Sequence, residues 1–172
     1  MQKKQTSPVV AGLIISLFLV VISLVVYFAD LFTETWAQYI GLVILFGGII
    51  WAVINHGKER NHNVSFGNLF GFGFKTTAVI ICVTIAYTLI FGYIFPDAKQ
   101  KIIELSREKA LAEPGANESQ IEQGMEMFEK NYNLFIVIGI VFWYAAIGAV
   151  SSLIAAAVAK KNPDANPTFD NV

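Results

Sequence analysis

The sequence predicts an all-α integral membrane protein, with four transmembrane helices in a bundle and an extramembrane helical hairpin between the third and fourth. Three observations lead there. Apolar residues make up 55% of the chain and charged residues only 15%, where a soluble domain carries roughly a quarter charged. The charges gather in clusters that leave four long apolar stretches, each near the ~20 residues that a helix needs to cross a hydrocarbon core. The short basic flanks also fall on one side if the chain crosses four times.

The first stretch, residues 9–29, has no charge until Asp30 and follows Lys3 and Lys4. It is longer than the ~7–15-residue apolar region of a signal peptide and has no small-residue cleavage site behind it, so it is expected to be a retained anchor helix. The second span covers residues 36–54 and is expected to end at Asn55-His56-Gly57. The third covers 69–95, uncharged after Lys75, and ends at Pro96-Asp97. The fourth covers 134–159 and ends at Lys160-Lys161-Asn162-Pro163. Trp36, Tyr39, Trp51, Tyr93 and Tyr132 lie near span ends, where amphipathic rings favour the headgroup level.

Orientation follows from the bases. Lys3 and Lys4, then Lys58 and Arg60 with Lys75, then Lys160 and Lys161 form three basic flanks on one face, so both termini are expected on the cytoplasmic side. Residues 1–161 read as one transmembrane domain and 162–172 as a flexible cytoplasmic tail. The segment 96–133 lies on the far side with five bases against eight acids.

That segment reads as an αα-hairpin. Strong helix formers follow Asp97, an acid placed where the helix dipole favours it. Pro114-Gly115-Ala116 breaks the first helix. Asn117 and Gln120 have capping-box spacing for the second. Ile121, Met125, Phe128 and Tyr132 then form one apolar stripe, with Ala98, Ile102 and Leu105 expected opposite. The hairpin acids lack the loop pattern of a calcium site, so they are expected to form a solvated face.

Residues 65–75 are the most distinctive stretch. Ser65 suits an N-cap, and Phe66, Phe70 and Phe74 recur every four residues, as in a helix lying in the interface or entering the bilayer obliquely. Gly67 and Gly71 form a small-xxx-small pair that would admit another helix. Lys75 is expected to snorkel to the headgroups; an ion or lipid site there is the alternative.

Helix association in lipid depends on small residues and polar contacts. The expected inward small faces are Gly12, Ser16 and Ser23; Gly41, Gly48, Ala52 and Asn55; Ala78, Cys82 and Ala86; and Gly148, Ser152 and Ala156 beside Ala145 and Ala149. Tyr87 and Tyr144 fall at similar depth. They are expected to face the bundle interior, with Thr84 or Thr88 as hydroxyl partner, or else to bond helix carbonyls as isolated core aromatics.

Chemistry-bearing patterns are sparse. A net charge of −1 gives no basic face for nucleic acid. Cys82 is the single cysteine, which excludes a disulfide within the chain and zinc sites built on paired thiolates. The predicted spans hold no Asp, Glu or His of the kind that proton-coupled transporters use. Ser151 and Ser152 lack a nearby sequence candidate for a base, and His56 and His62 with Glu59 or Asn61 make a weak metal pattern. No catalytic, cofactor or metal residues are assigned.

Residues 61–75, the order of the spans, the acidic hairpin with Ile121-Glu122-Gln123-Gly124-Met125-Glu126-Met127-Phe128-Glu129, and Lys160-Lys161-Asn162-Pro163 together resemble one family. It is the bacterial membrane-protein family catalogued as domain of unknown function 4199, typical of the Bacteroidetes group. Position 68 departs from its pattern, being Asn where Glu or Gln is usual. The resemblance covers residues 5–161. It implies a fold and a place in the cytoplasmic membrane, but no activity. The expected role is structural or interactive, with the lipid bilayer, other membrane proteins or a second copy as partners. An oligomeric channel or uncoupled small-solute transporter is one alternative, and a membrane-embedded enzyme another.

Overall fold

The computed structural model describes residues 5–31 and 34–159, and they form six helices: α1 (Pro8–Phe28), α2 (Thr35–Glu59), α3 (Phe66–Ile94), α4 (Pro96–Leu111), α5 (Glu118–Lys130) and α6 (Tyr132–Val158). Four of them, α1, α2, α3 and α6, are long and apolar enough to cross a membrane. Lys3, Lys4, Lys160, Lys161 and the expected tail 162–172 lie outside the described residues.

Local chemistry sets the helix ends. Ser7 caps α1 by accepting from the Val10 amide at 3.2 Å, with Pro8 in the first turn, where its missing N–H costs nothing. Ser65 caps α3 in the same way, accepting from the Asn68 amide at 3.2 Å. The Phe-rich segment is therefore no separate interfacial helix but the first turns of α3, which runs unbroken for 29 residues. At 1.5 Å per residue it is about 43 Å long.

The second boundary needs correction. Asn55-His56-Gly57 does not end α2, which continues to Glu59. The reversal comes at Asn61 and His62, both left-handed with φ of 53° and 60°, a conformation to which Asn and His are better suited than most residues.

The hairpin is almost continuous with the long helices. Pro96 lacks the N–H that would extend α3 and pushes Phe95 out of the helical region, to φ −121° and ψ 75°. A single residue, Asn131, separates α5 from α6. Asn117 caps α5, accepting from the Gln120 amide at 3.3 Å. The apolar stripe packs within the hairpin and onto the start of α6: Met125 and Tyr132 are buried, with Ile121 and Phe128 packed beside them. Across from it Ala98 is buried as expected, but the deepest residue of α4 is Ile103 after Ala98, not Leu105.

Among the long helices, α3 packs on α6, α1 and α2, while α2 also packs on α6 and α1. The core they share includes Ile15, Leu45, Ile49, Val53, Leu69 and Ile80. Most of it lies toward the end of the molecule where Thr6 and Ala159 are found, termed here the terminal side. The opposite end, below α4 and α5, is the hairpin side.

Candidate functional site

The terminal side carries a polar cluster that joins three elements. Glu59, in the last turn of α2, accepts from the Thr6 amide and from the Thr6 hydroxyl, each at 2.7 Å. It also accepts from Asn55 Nδ2 at 2.9 Å. Charge-assisted bonds of this kind are the stronger class, so the residue before α1 is tied to the end of α2. One turn back, the His56 ring stacks on Phe72 of α3 with centroids 4.0 Å apart. Its Nε2 donates to Asn68 Oδ1 at 3.2 Å. His56 is thus held by α3 on a face and an edge, and among the described residues it joins no group of three or more His, Cys, Asp or Glu that could hold a metal.

Above this cluster α3 and α6 make their closest approach. A Cβ at Gly73 would stand 2.7 Å from Val53 Cγ2 and still nearer to Ser152, and one at Gly148 would stand 2.8 Å from Thr77 Cβ. The pairs Gly73 with Ser152 and Thr77 with Gly148 interlock across antiparallel helices. Each polar partner hides its hydroxyl by donating to its own helix: Thr77 to Gly73 O at 2.9 Å and Ser152 to Gly148 O at 2.6 Å. Ser151 does the same to Ile147 O at 2.7 Å, and all three residues are fully buried. Both serines are thus packing groups.

On the hairpin side the same four helices leave a cavity of about 390 Å³. It is partly open, and its walls come from the second half of α1, the first turns of α2, the second half of α3 and the first half of α6. Leu19, Ile22, Val26, Ile136 and Ile140 supply much of the apolar lining, and Ser23, Thr84, Tyr87, Thr88 and Tyr144 supply hydroxyls. Tyr87 donates to Ser23 Oγ on α1 at 3.1 Å, and Tyr144 on α6 lies near Thr84 on α3 in the same lining. Gly41 lines the cavity with no atom within 4 Å of the position its Cβ would take.

Beyond the cavity, aromatic rings and an ion pair brace the hairpin-side ends of α1, α3 and α4. Tyr27 on α1 stacks edge-on against Phe91 at 5.0 Å and packs on Phe95 at 5.1 Å. Lys101 of α4 reaches Asp30 at 2.6 Å, and this bond holds the ammonium above its ordinary pKa.

The sequence-predicted positions separate into distinct places. Ser65, Phe66 and Gly67 lie at the exposed start of α3, with Gly71 half-buried and Lys75 exposed. Gly67 and Gly71 meet no other helix, since a Cβ at either would have nothing within 4 Å. The close approach uses Gly73, which sequence reading passed over. Gly148 and Ser152 lie in the α3–α6 contact, and Tyr87 and Tyr144 line the cavity.

The expected inward face of the third span is also corrected. Ala78, Cys82 and Ala86 are all exposed, because Leu69, Gly73, Thr76, Thr77 and Ile80 occupy the packing face. Cys82 follows Gly73 by nine residues, about two and a half turns, and so points the opposite way. Threonine was the missed signal: once its hydroxyl bonds the i−4 carbonyl, it packs as a compact apolar group. Ser23 lies inward as expected, but its bond to Tyr87, like the roles of Asn68, Glu59 and Thr6 as interhelical or tethering partners, is not predicted by the sequence pattern. Their polarity beside apolar runs was visible in the sequence; their partners, 12 to 64 residues away, were not.

The fold therefore defines a class first: an all-α chain whose four longest helices suit a membrane. Residues 11–161 match the family described as protein of unknown function (DUF4199), and the chain belongs to that family. No curated protein and no solved structure matches it.

Proposed function

We propose that the chain is a multi-pass protein of the bacterial cytoplasmic membrane, with both termini cytoplasmic and the α4–α5 hairpin outside, whose role is structural or interactive rather than catalytic. One observation carries the membrane reading. Large apolar side chains point outward along the long helices, among them Leu17 at 63%, Val43 at 65%, Phe142 at 65% and Trp143 at 64% exposed. In water such a surface would drive aggregation, whereas lipid solvates it.

The non-catalytic reading is supported by Ser151 and Ser152, whose hydroxyls are spent on helix carbonyls in a contact that leaves no space for a substrate. A through-going solute path is disfavoured by the same contact, since Thr77, Ser151, Ser152, Ile49 and Ile80 are fully buried below the cavity. The terminal clamp of Thr6, Glu59 and Asn55 supports a rigid platform that associates with other membrane proteins or a second copy.

The test combines topology with association. In a Cys82→Ser background, single cysteines at Ser7 and at Gly115 are probed in intact cells with a membrane-impermeant maleimide. Labelling at position 115 alone is expected; labelling at position 7 alone would reverse the orientation, and labelling at both would break the four-span reading. Native-membrane cross-linking should then yield a defined complex, and a chain recovered solely as monomer would count against the interaction role.

A further inference from the structure

We propose that the hairpin-side cavity is a binding site for one uncharged, lipid-like molecule, an apolar body bearing a hydroxyl or carbonyl oxygen, that enters sideways from the bilayer. The inference rests on the membrane reading above and goes beyond it.

Size is the first argument. The volume of about 390 Å³ falls within the ~300–1,000 Å³ of small-molecule sites and is well above a packing defect. The protein's own side chains leave that partly open space unfilled, and its walls gain contacts when an occupant of matching chemistry enters.

The lining gives the chemistry. Among the described residues no charged side chain takes part in it, so an ion or a charged headgroup would be desolvated without compensation. Apolar side chains form one set of surfaces, and five hydroxyl-bearing residues form the other. These hydroxyls both donate and accept. The Tyr87–Ser23 pair and the Tyr144–Thr84 pair come from three different helices, with Thr88 adding a further hydroxyl beside them. That arrangement suits a neutral oxygen function on an otherwise apolar molecule.

Position gives the route. The lining residues all belong to the hairpin-side halves of their helices. The residues that flank them along the helices, Val21, Val25, Leu42 and Ile138, are 40–55% exposed and apolar. A molecule dissolved in the surrounding lipid would meet apolar surface up to the opening, while the Gly73–Ser152 and Thr77–Gly148 contacts close the far end.

The experiment uses the full chain in bilayer nanodiscs and a long-chain alcohol carrying a photoreactive diazirine. Cross-links are expected on the cavity-lining residues Leu19, Ile22, Val26, Ile136 and Ile140, competed by the unlabelled alcohol but not by a quaternary-ammonium analogue of equal chain length. Gly41→Leu, which grows into open space, should lower the labelling about tenfold. Ile140→Phe serves as a second filling variant if the first misfolds. A diazirine phospholipid in parallel discs should label Phe142 and Trp143 in every variant; loss of that signal would indict the membrane reading instead. Equal labelling by the charged analogue, absence of competition, or undiminished labelling in both folded filling variants would overturn the site.

Discussion

The terminal-side and hairpin-side halves of the four long helices differ in how they use small and hydroxyl-bearing residues. On the terminal side Gly73 and Gly148 let α3 and α6 nearly touch, and Thr77 and Ser152 turn their hydroxyls back on their own helices. On the hairpin side Gly41 opens onto empty space, while Tyr87 bonds across to another helix. Within lipid, where apolar burial drives little association, close backbone approach and polar contacts decide which helices hold together. One half uses those elements to close the structure. The other uses them to line a space.

Breaking the closed half should have the largest effect. Gly73→Val places a three-carbon branched side chain where Val53 and Ser152 already stand, and overpacking of this kind costs about 1–3 kcal/mol. Thermal unfolding in detergent should show the loss, and Gly148→Val should behave likewise. Melting within error of wild type for both would remove the contrast between the halves.

Next is the tether. Glu59→Gln keeps the shape but removes the charge and turns one of the two accepting oxygens into an NH2 donor, so at least one bond to Thr6 or Asn55 is lost, at a cost of ~1–2 kcal/mol. Limited proteolysis of the N-terminal segment should quicken, with helix content unchanged by circular dichroism.

A smaller effect is expected from Tyr87→Phe, which deletes the bond to Ser23. Interhelical hydrogen bonds in membranes average ~0.6 kcal/mol, so the shift in melting should be slight and should shrink further in a Ser23→Ala background. A full-sized additional loss in the double variant would show that the two groups act independently.

Cys82→Leu should be milder still. Its side chain points away from the packing face, and an outward substitution is expected to stay within about 0.5 kcal/mol. If stability holds but the cross-linked complex is lost, the outer face of α3 is where a partner sits. The Lys101–Asp30 pair, exposed on both sides, should be silent when Lys101→Ala is tested at high salt, because exposed ion pairs are screened.

The family, the helical class, the four long apolar helices and the hairpin were legible because each depends on local pattern. Length and charge-free composition mark a spanning segment. Proline at 96, the Pro114-Gly115 break and the Asn117 cap mark boundaries through the chemistry of a few neighbouring residues. The apolar stripe from Ile121 to Tyr132 needed only helical periodicity. Even the misplaced end of α2 reflects that locality, since Asn55 and Gly57 are weak helix formers yet are kept helical by Glu59 and by α3 stacking on His56.

Only the tertiary structure decided which face of each helix turns inward. On α3 two compact stripes were available, Gly73 with Thr76 and Thr77, and Ala78 with Cys82 and Ala86. A single helix offers no reason to prefer either when both faces are apolar. The choice belongs to α6, whose Gly148 and Ser152 fit the first stripe at contact distance, and that fit in turn leaves the hairpin-side cavity between Tyr87 and Tyr144. Composition and periodicity are properties of one segment, whereas complementarity between two surfaces exists only once both are in place.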